Sequence, residues 1–197
     1  MKNLLHELRA SLLLTLVFAV VLCGAYPLAV WAAGRTCFAR PAGGSLLTAP
    51  DGTVIGSDLL AQNFAAPKYF HPRPSAAGTG YDAVNSSGTN LGPTSRKLAD
   101  AITAAVAAYR AENHLSAQAL VPADAVTSSA SGLDPHISPE NARFQAARVA
   151  EARGLTPARV QALVAAHTEA PDWHIFGDAR VNVLLLNLEL DRLAPVR

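Results

Sequence analysis

The feature that most constrains this chain is an uncharged, apolar run near its N-terminus. No charged residue lies between Arg9 and Arg35. As a helix, residues 10–34 would be about 37 Å long at ~1.5 Å per residue. This length exceeds the ~30 Å hydrocarbon core of a bilayer. The run therefore predicts a single transmembrane helix over residues 10–34.

The charges that flank this run predict its orientation. Lys2, Arg9 and the amino group form a compact positive end, whereas Arg35 and Arg40 follow the run. With so short an N-terminal tail, the positive-inside tendency favours a cytoplasmic tail over residues 1–9. The rest of the chain would then face the periplasm.

A cleaved signal peptide is the alternative interpretation of the same run. Val30-Trp31-Ala32 offers a small-x-small cleavage pattern. However, the run is longer than the ~7–15 apolar residues of a typical signal peptide. Tyr26 and Trp31 also fall near its C-terminal end, where interfacial aromatic residues are common. The pattern therefore favours an uncleaved anchor.

Composition argues against a nucleic-acid partner and a cysteine-based site. The chain has 16 Lys and Arg against 15 Asp and Glu, a net charge of +1. It therefore lacks the basic surplus that neutralises phosphates. Cys23 and Cys37 would be ~21 Å apart along a helix. This distance is too long for an intrachain disulfide, which needs Cα atoms within ~7 Å, and no zinc-ligand spacing surrounds either cysteine.

The remaining sequence predicts a short linker and one domain of class α/β (α+β). Residues 35–44 are small and rich in Gly and Pro, which indicates a linker. Residues 45–197 have a length that suits a single globular domain. Two short apolar runs around Pro50-Asp51-Gly52 predict a hairpin at its start.

Periodicity and capping residues predict helices in the second half of the chain. Apolar residues recur at helical spacing over 98–109, with Thr94 or Ser95 as the cap. A second helix should begin at Ser138 and run to Arg153, because Gly154 can end it. A third should begin at Thr156-Pro157, with His167 on its partly buried face, and residues 181–190 predict a strand that turns into a helix.

Residues 63–95 predict a long loop that is nevertheless ordered. The segment is rich in Pro and Gly and has no clear periodicity. A structureless segment of this length is unusual in a compact domain and tends to be functional or disordered. Its aromatic residues argue against disorder, which requires few large apolar groups.

Catalytic and metal-binding patterns are weak. His71, His136 and His174, together with Asp82 and Asp134, could in principle form a metal or hydrolase site. No two histidines have the i, i+4 spacing of a helical zinc pair. Aspartate and serine beside proline are also natural turn formers. Residues 94–97 only partly match a Ser-x-x-Lys motif and lack a Lys-Thr-Gly partner. We therefore expect neither catalytic residues nor a metal site, with a membrane-anchored periplasmic hydrolase as the alternative.

Several stretches are similar to one known family. They are residues 69–76, 80–82, 87–95, 121–124, 126–127, 131–138, 145–150 and 180–187. With the anchor, they cover most of the chain and closely resemble the C subunit of Kdp-type potassium-transporting ATPases. Small departures occur at Thr89, where the family pattern has Ser, and at Ala146-Ala147, where it often has Val-Pro.

This resemblance implies an accessory subunit without turnover of its own, in the bacterial inner membrane. It implies three partners: a channel-like potassium-binding subunit, a P-type ATPase subunit and a small single-helix subunit. Potassium would be the transported ion and ATP would be used by the complex, with no cofactor held by this chain. The family is described as a catalytic chaperone that raises the affinity for ATP, and Gln145 matches a glutamine linked to that role. A periplasmic domain cannot touch cytoplasmic ATP, so the predicted effect would be transmitted through the complex unless the orientation is reversed.

The matching stretches also predict residues that shape a partner-facing surface or brace the loops of the domain. These candidates are Tyr69, His71, Arg73, Tyr81, Asp82, Asn90, Asp134, His136, Arg148, Asn182 and Asn187. Ordering a long loop costs about 1–2 kcal/mol per residue in backbone entropy, so compensating contacts are needed. Either the domain or a partner could supply them, and the sequence leaves both possibilities open.

Overall fold

The computed structural model describes residues 2–193. Met1 of the predicted tail and residues 194–197 of the predicted domain lie outside this description. The chain divides into two compact units, with the boundary after Ile55. The larger unit thus begins at Gly56, beyond the predicted domain start at residue 45.

The N-terminal unit contains one long helical segment. Helix α1 (Lys2–Val20) leads through a π-helical turn (Val21–Ala25) into α2 (Tyr26–Cys37). Within it, Asn3–Cys37 is long and apolar enough to cross a membrane. The helix is longer at both ends than the predicted residues 10–34, because the flanking charged residues are themselves good helix formers.

The π-helical turn lies just before Pro27, with Tyr26 between them. Tyr26 donates its N–H to the carbonyl of Val21. Pro27, at the start of α2, has no N–H to donate to the preceding turn. The wider π-helical turn gives the neighbouring backbone N–H and carbonyl groups hydrogen-bond partners at a place where a regular α-helix would lose one hydrogen bond.

Residues predicted to form an irregular linker are partly helical. Helix α2 continues to Cys37, and a short helix, α3, covers Ala39–Ala42. The predicted hairpin follows as strands β1 (Leu46–Thr48) and β2 (Val54–Ser57). Asp51 stabilises its turn by accepting a hydrogen bond of 2.9 Å from the Thr53 N–H.

The larger unit combines helices with a small sheet, which confirms a mixed fold. Its elements are α4 (Arg96–Glu112), α5 (Ala123–Val126), β3 (His136–Ile137), α6 (Pro139–Arg153), α7 (Pro157–Ala166), β4 (Thr168–Glu169), β5 (Arg180–Asn182) and α8 (Val183–Leu193). The strand order is β3-β5-β4, and both pairings are antiparallel. Central Val181 therefore pairs with Ile137 on one side and Thr168 on the other.

The predicted helix ends are confirmed by their capping bonds. Ser95, Ser138 and Thr156 each accept a backbone N–H of the first turn in α4, α6 and α7 respectively. Gly154 ends α6 in the left-handed region, with φ of 63°, where glycine avoids the penalty of a Cβ atom. His167 follows α7 and is half-buried, in agreement with the sequence prediction.

The core lies between α6, α7, α8 and the central strand. Its buried residues are Phe70, Ile137, Ala142, Ala146, Val149, Ala150, Val160, Val164, Val181, Val183, Leu186 and Leu190. The predicted change from strand to helix is confirmed between Asn182 and Val183. There the Asn182 side chain accepts the Leu185 N–H at 3.1 Å and caps the start of α8.

Candidate functional site

Two side-chain amides hold the extended backbone of the long loop. Asn187 on α8 accepts the Phe70 N–H and donates to the Phe70 carbonyl, both at 2.9 Å. Gln145 on α6 accepts the His71 N–H at 2.7 Å and donates to the His71 carbonyl at 3.1 Å. Each amide therefore pairs with the loop as a neighbouring strand would. We call Gln145 and Asn187 the amide clamp.

Gln145 has further partners beyond the loop. Its Nε2 donates to Asn141 Oδ1 at 2.9 Å, and its Oε1 accepts from Arg148 Nη2 at 2.9 Å. An amide offers two donors and an acceptor oxygen with two lone pairs, so this side chain is fully satisfied. It is also 1% exposed. In this arrangement Gln145 positions a loop and has no polar capacity left for a ligand.

Arg148 extends the clamp to an earlier part of the loop. Its Nη1 donates to the carbonyls of Pro67 and Tyr69, at 2.6 and 3.0 Å. Its Nε donates to Asn113 Oδ1 at 3.0 Å. Burial lowers the pKa of Arg148, although the carboxylate of Glu112 opposes this effect. A buried guanidinium with this many acceptors rigidifies the loop because breaking any contact leaves polar groups unsatisfied.

A chain of buried and partly buried polar groups continues from the clamp to α5. Tyr109 Oη donates to Asn141 Oδ1 at 2.8 Å. Asn141 Nδ2 donates to Asp124 Oδ2 at 3.0 Å, and Asp124 also accepts the N–H and hydroxyl of Ser138. Burial raises the pKa of Tyr109, so its hydroxyl keeps its proton. The network ties α4, α5 and α6 together.

A cavity of about 410 Å³ opens beside this network. Its walls include Phe64, Tyr81 and Tyr109, and also His71 and Glu112, where His71 Nδ1 lies 3.1 Å from Glu112 Oε1. Burial lowers the pKa of His71 and the charge of Arg148 adds to this, while Glu112 raises it. The net lowering favours a neutral imidazole at this position.

A second cluster joins the loop to the segment before β3. Arg73 Nη1 lies 3.0 Å from Asp134 Oδ2, and Asp134 Oδ1 accepts the His136 N–H at 3.0 Å. Tyr81 donates its hydroxyl to the Arg73 carbonyl at 3.0 Å. Burial alone would raise the pKa of Asp134, but hydrogen bonds from His136 and Arg73 outweigh it and hold that pKa below its usual value.

This second cluster does not assemble a hydrolytic site in the described part of the chain. The nearest pair to a catalytic dyad is His136 Nδ1 and Asp134 Oδ1, which lie 3.4 Å apart. No hydrogen bond among residues 2–193 joins the His136 ring to a hydroxyl or thiol that could act as a nucleophile. The same residues contain no group of three or more His, Cys, Asp or Glu arranged to hold a metal ion.

Of the other predicted site residues, Tyr69, Asp82 and Asn182 make local contacts. Tyr69 donates its hydroxyl to Asp191 Oδ2 at 3.1 Å, with the Arg153 guanidinium 5.0 Å from its ring centre. Asp82 caps the short helical turn at Ala83–Asn85. Asn182 donates to the Asp58 carbonyl at 2.7 Å. Asn90 is exposed and adopts a positive φ of 52°.

The structure thus brings His71, Gln145, Arg148 and Asn187 together around one loop, and Arg73, Tyr81, Asp134 and His136 around its continuation. Sequence reasoning missed the polar partners Tyr109, Glu112, Asn113, Asp124 and Asn141. One signal for Asn141 existed, because it shares a helix face with Gln145 and Arg148 at helical spacing. Tyr109, Glu112 and Asn113 lie on or directly after α4, and Asp124 lies on α5, so the sequence gave no local sign of their pairing with α6.

Comparison with known proteins assigns the chain to a family. A family model described as the c chain of K+-transporting ATPases, KdpC, matches residues 8–192. The chain belongs to this KdpC family. The resemblance predicted from the sequence is therefore confirmed.

Individual relatives cover nearly the whole chain. A potassium-transporting ATPase KdpC subunit of Mycobacterium tuberculosis (strain H37Rv) is 54% identical over 188 residues, 95% of this chain and 99% of its own. One of Nitratidesulfovibrio vulgaris is 53% identical over 195 residues, 98% of each chain. One of Caulobacter vibrioides is 51% identical over 192 residues, 98% of this chain and 96% of its own. The amide clamp and the second cluster both lie within residues 8–192, the range that the family model matches.

Proposed function

We propose that this chain is the accessory, non-catalytic subunit of an ATP-driven potassium uptake complex, and that it stabilises the assembly. Membership of the KdpC family over residues 8–192 carries the proposal. Its partners are a channel-like potassium-binding subunit, a P-type ATPase subunit and a small single-helix subunit. Potassium is the transported ion, and the ATPase subunit uses the ATP.

Assembly can be measured directly by co-purification. A tagged copy of this chain, expressed with the other subunits, should retain all of them in mild detergent. Deleting the chain from the same operon should lower recovery of the joined channel and ATPase subunits and their potassium-stimulated ATP hydrolysis. Full recovery and full hydrolysis without this chain would contradict an accessory role.

The helix Asn3–Cys37 supports anchoring in the inner membrane, with the larger unit in the periplasm. Its length and composition suit a membrane span. The positive charge of Lys2 and Arg9 at its start favours a cytoplasmic N-terminus. A C-terminal reporter that works only after export should be active, and activity of a reporter restricted to the cytoplasm would reverse the orientation.

The effect on ATP affinity is transmitted rather than direct in this proposal. Gln145 supports this because its side chain is buried and already bonded to His71, Asn141 and Arg148. Losing it would release the loop at His71 instead of removing a nucleotide ligand. The altered loop would then change the contacts that the domain makes with its partners.

Replacing Gln145 with alanine separates the two mechanisms. A transmitted effect predicts a higher KM for ATP in the complex together with a lower melting temperature of this chain. Gln161→Ala, on the exposed face of α7, is the matched control and should change neither quantity. ATP binding to this chain alone that is lost in Gln145→Ala without a change in melting temperature would establish direct contact instead.

A further inference from the structure

The loop between β4 and β5 presents an exposed apolar group. Trp173 is 85% exposed, Ile175 77% and Phe176 59%. Single exposed apolar side chains are normal on soluble proteins, but contiguous patches usually mark interaction sites. We call residues 172–176 the aromatic tip.

The backbone of the aromatic tip is already ordered. Asp172 and Phe176 exchange two backbone hydrogen bonds of 2.9 Å, and the His174 N–H reaches the Pro171 carbonyl at 2.8 Å. Trp173 and His174 adopt positive φ values of 53° and 60°. Left-handed backbone is unfavourable for residues other than glycine, so this geometry must be held by the surrounding bonds.

Side-chain contacts hold the tip at both ends. The rings of Trp173 and Phe176 pack edge to face, with centres 5.9 Å apart. At the base, Arg180 pairs with Glu169 and with Asp172, each at 3.1 Å. The tip therefore has an apolar end and a charged base. Because its turn is already formed, the tip loses little conformational entropy when it binds another surface.

A lipid bilayer is the apolar medium closest to this domain, given the anchor proposed above. Residues 38–55 separate the anchor helix from the larger unit, and even fully extended they reach at most about 65 Å. Such a tether gives the tip a high effective concentration at the membrane surface. Tryptophan in particular prefers the headgroup region, where its ring is buried and its N–H stays hydrated.

We propose that the aromatic tip inserts Trp173, Ile175 and Phe176 into the headgroup region of the bilayer that the anchor crosses. The inference rests on the proposed anchor. No charged residue lies between Asp172 and Phe176 to oppose insertion. The acidic residues at the base outnumber Arg180, so the tip should enter a zwitterionic surface rather than require an anionic one.

Fluorescence of the full chain tests the proposal. The chain has 2 tryptophans, so Trp31→Phe leaves Trp173 as the sole emitter. After reconstitution into phosphatidylcholine vesicles, lipids brominated near the headgroup should quench Trp173, and aqueous acrylamide should quench it weakly. The matched control carries Trp31→Phe, Trp173→Phe and Leu120→Trp, which moves the indole to another exposed apolar position. Trp173 should show at least about twofold stronger quenching by brominated lipid than this control, as expected for an interfacial indole.

A second variant tests whether the shielding of Trp173 from aqueous acrylamide depends on the other apolar residues of the aromatic tip. Ile175→Asp should return Trp173 to water while the melting temperature stays unchanged, since the Ile175 side chain is 77% exposed and the Trp173–Phe176 ring contact is kept. Equal quenching of Trp173 in this variant, or equal quenching at position 120, would overturn the proposal.

Flotation of the vesicles separates failure of the tip from failure of the anchor. If the chain floats with its vesicles but acrylamide quenches Trp173 fully, the lipid contact is wrong and the anchor stands. Protection that appears only when the other subunits are added would assign the tip to a protein surface and overturn the lipid contact. A chain that does not float would overturn both.

Discussion

Gln145 and Asn187 hold the backbone of two consecutive residues, His71 and Phe70, from two different helices. Each amide accepts an N–H and donates to a carbonyl of the same residue. Buried backbone groups need partners, and a loop without sheet neighbours must find them among side chains. The clamp explains how an irregular segment can cross the core with Phe70 completely buried.

Removing one arm of the clamp should destabilise the domain. Asn187→Ala leaves both the N–H and the carbonyl of Phe70 buried without partners, and each such group costs about 1–3 kcal/mol. We expect the free energy of unfolding to fall by about 2–6 kcal/mol. Chemical denaturation of the full chain in detergent would measure it. The control Asn63→Ala, at an exposed position, should change stability little, and an equal loss in both variants would argue against the clamp.

Gly132 should tolerate no side chain. It has φ of 67°, and a Cβ atom there would lie 2.6 Å from the Ser87 carbonyl oxygen and 2.7 Å from the Ala77 nitrogen. Gly154 has a similar φ of 63° but open space around the same position. Gly154→Ala should therefore cost about 1–2 kcal/mol from the left-handed backbone alone. Gly132→Ala should cost clearly more, because backbone atoms must move, and thermal melts of the two variants would show the difference.

His71 should make stability depend on pH. Burial and Arg148 lower its pKa in the folded protein, so the unfolded chain binds the proton more readily. Stability should be greatest above the ordinary histidine pKa of about 6.5 and should fall as pH drops through that value towards the lower folded-state pKa. His71→Gln should flatten this part of the curve of unfolding free energy against pH.

Two comparisons test the origin of this pH effect. His174→Gln, at an exposed position, should leave the slope unchanged. Glu112→Gln removes the group that opposes the lowering, so the loss of stability should extend to lower pH. A slope that survives in His71→Gln would place the effect in another residue.

Variants of Asp134 and Asn90 should distinguish residues that brace the loop within the domain from residues that contact a partner subunit. Asp134→Ala removes the ion pair with Arg73 and should lower the melting temperature, with any assembly defect following that loss. Asn90→Gly relieves the positive φ of 52° and should leave the melting temperature unchanged or slightly raised. Reduced co-purification of the channel and ATPase subunits in Asn90→Gly would therefore report a partner contact, and unchanged co-purification would leave Asn90 without one.

Local sequence features predicted much of the secondary structure. Ser138-Pro139 and Gly154 bracket α6, and the change from strand to helix after Asn182 was visible in the pattern. These signals work because capping bonds and the left-handed glycine act within one or two turns of the chain. The helix that contains the apolar run extends beyond residues 10–34 at both ends, since helices tolerate charged residues outside an apolar segment.

The sequence by itself determined the apolar span, the ends of the main helices and the family. It identified Gln145, Arg148 and Asn187 as special residues but not their task. Tertiary structure decided that task, because the partners of Gln145 and Asn187 on the loop lie 74 and 117 residues away in sequence. Hydrogen bonds over such separations form only after packing has aligned α6 and α8 against the loop, and no local propensity encodes that alignment.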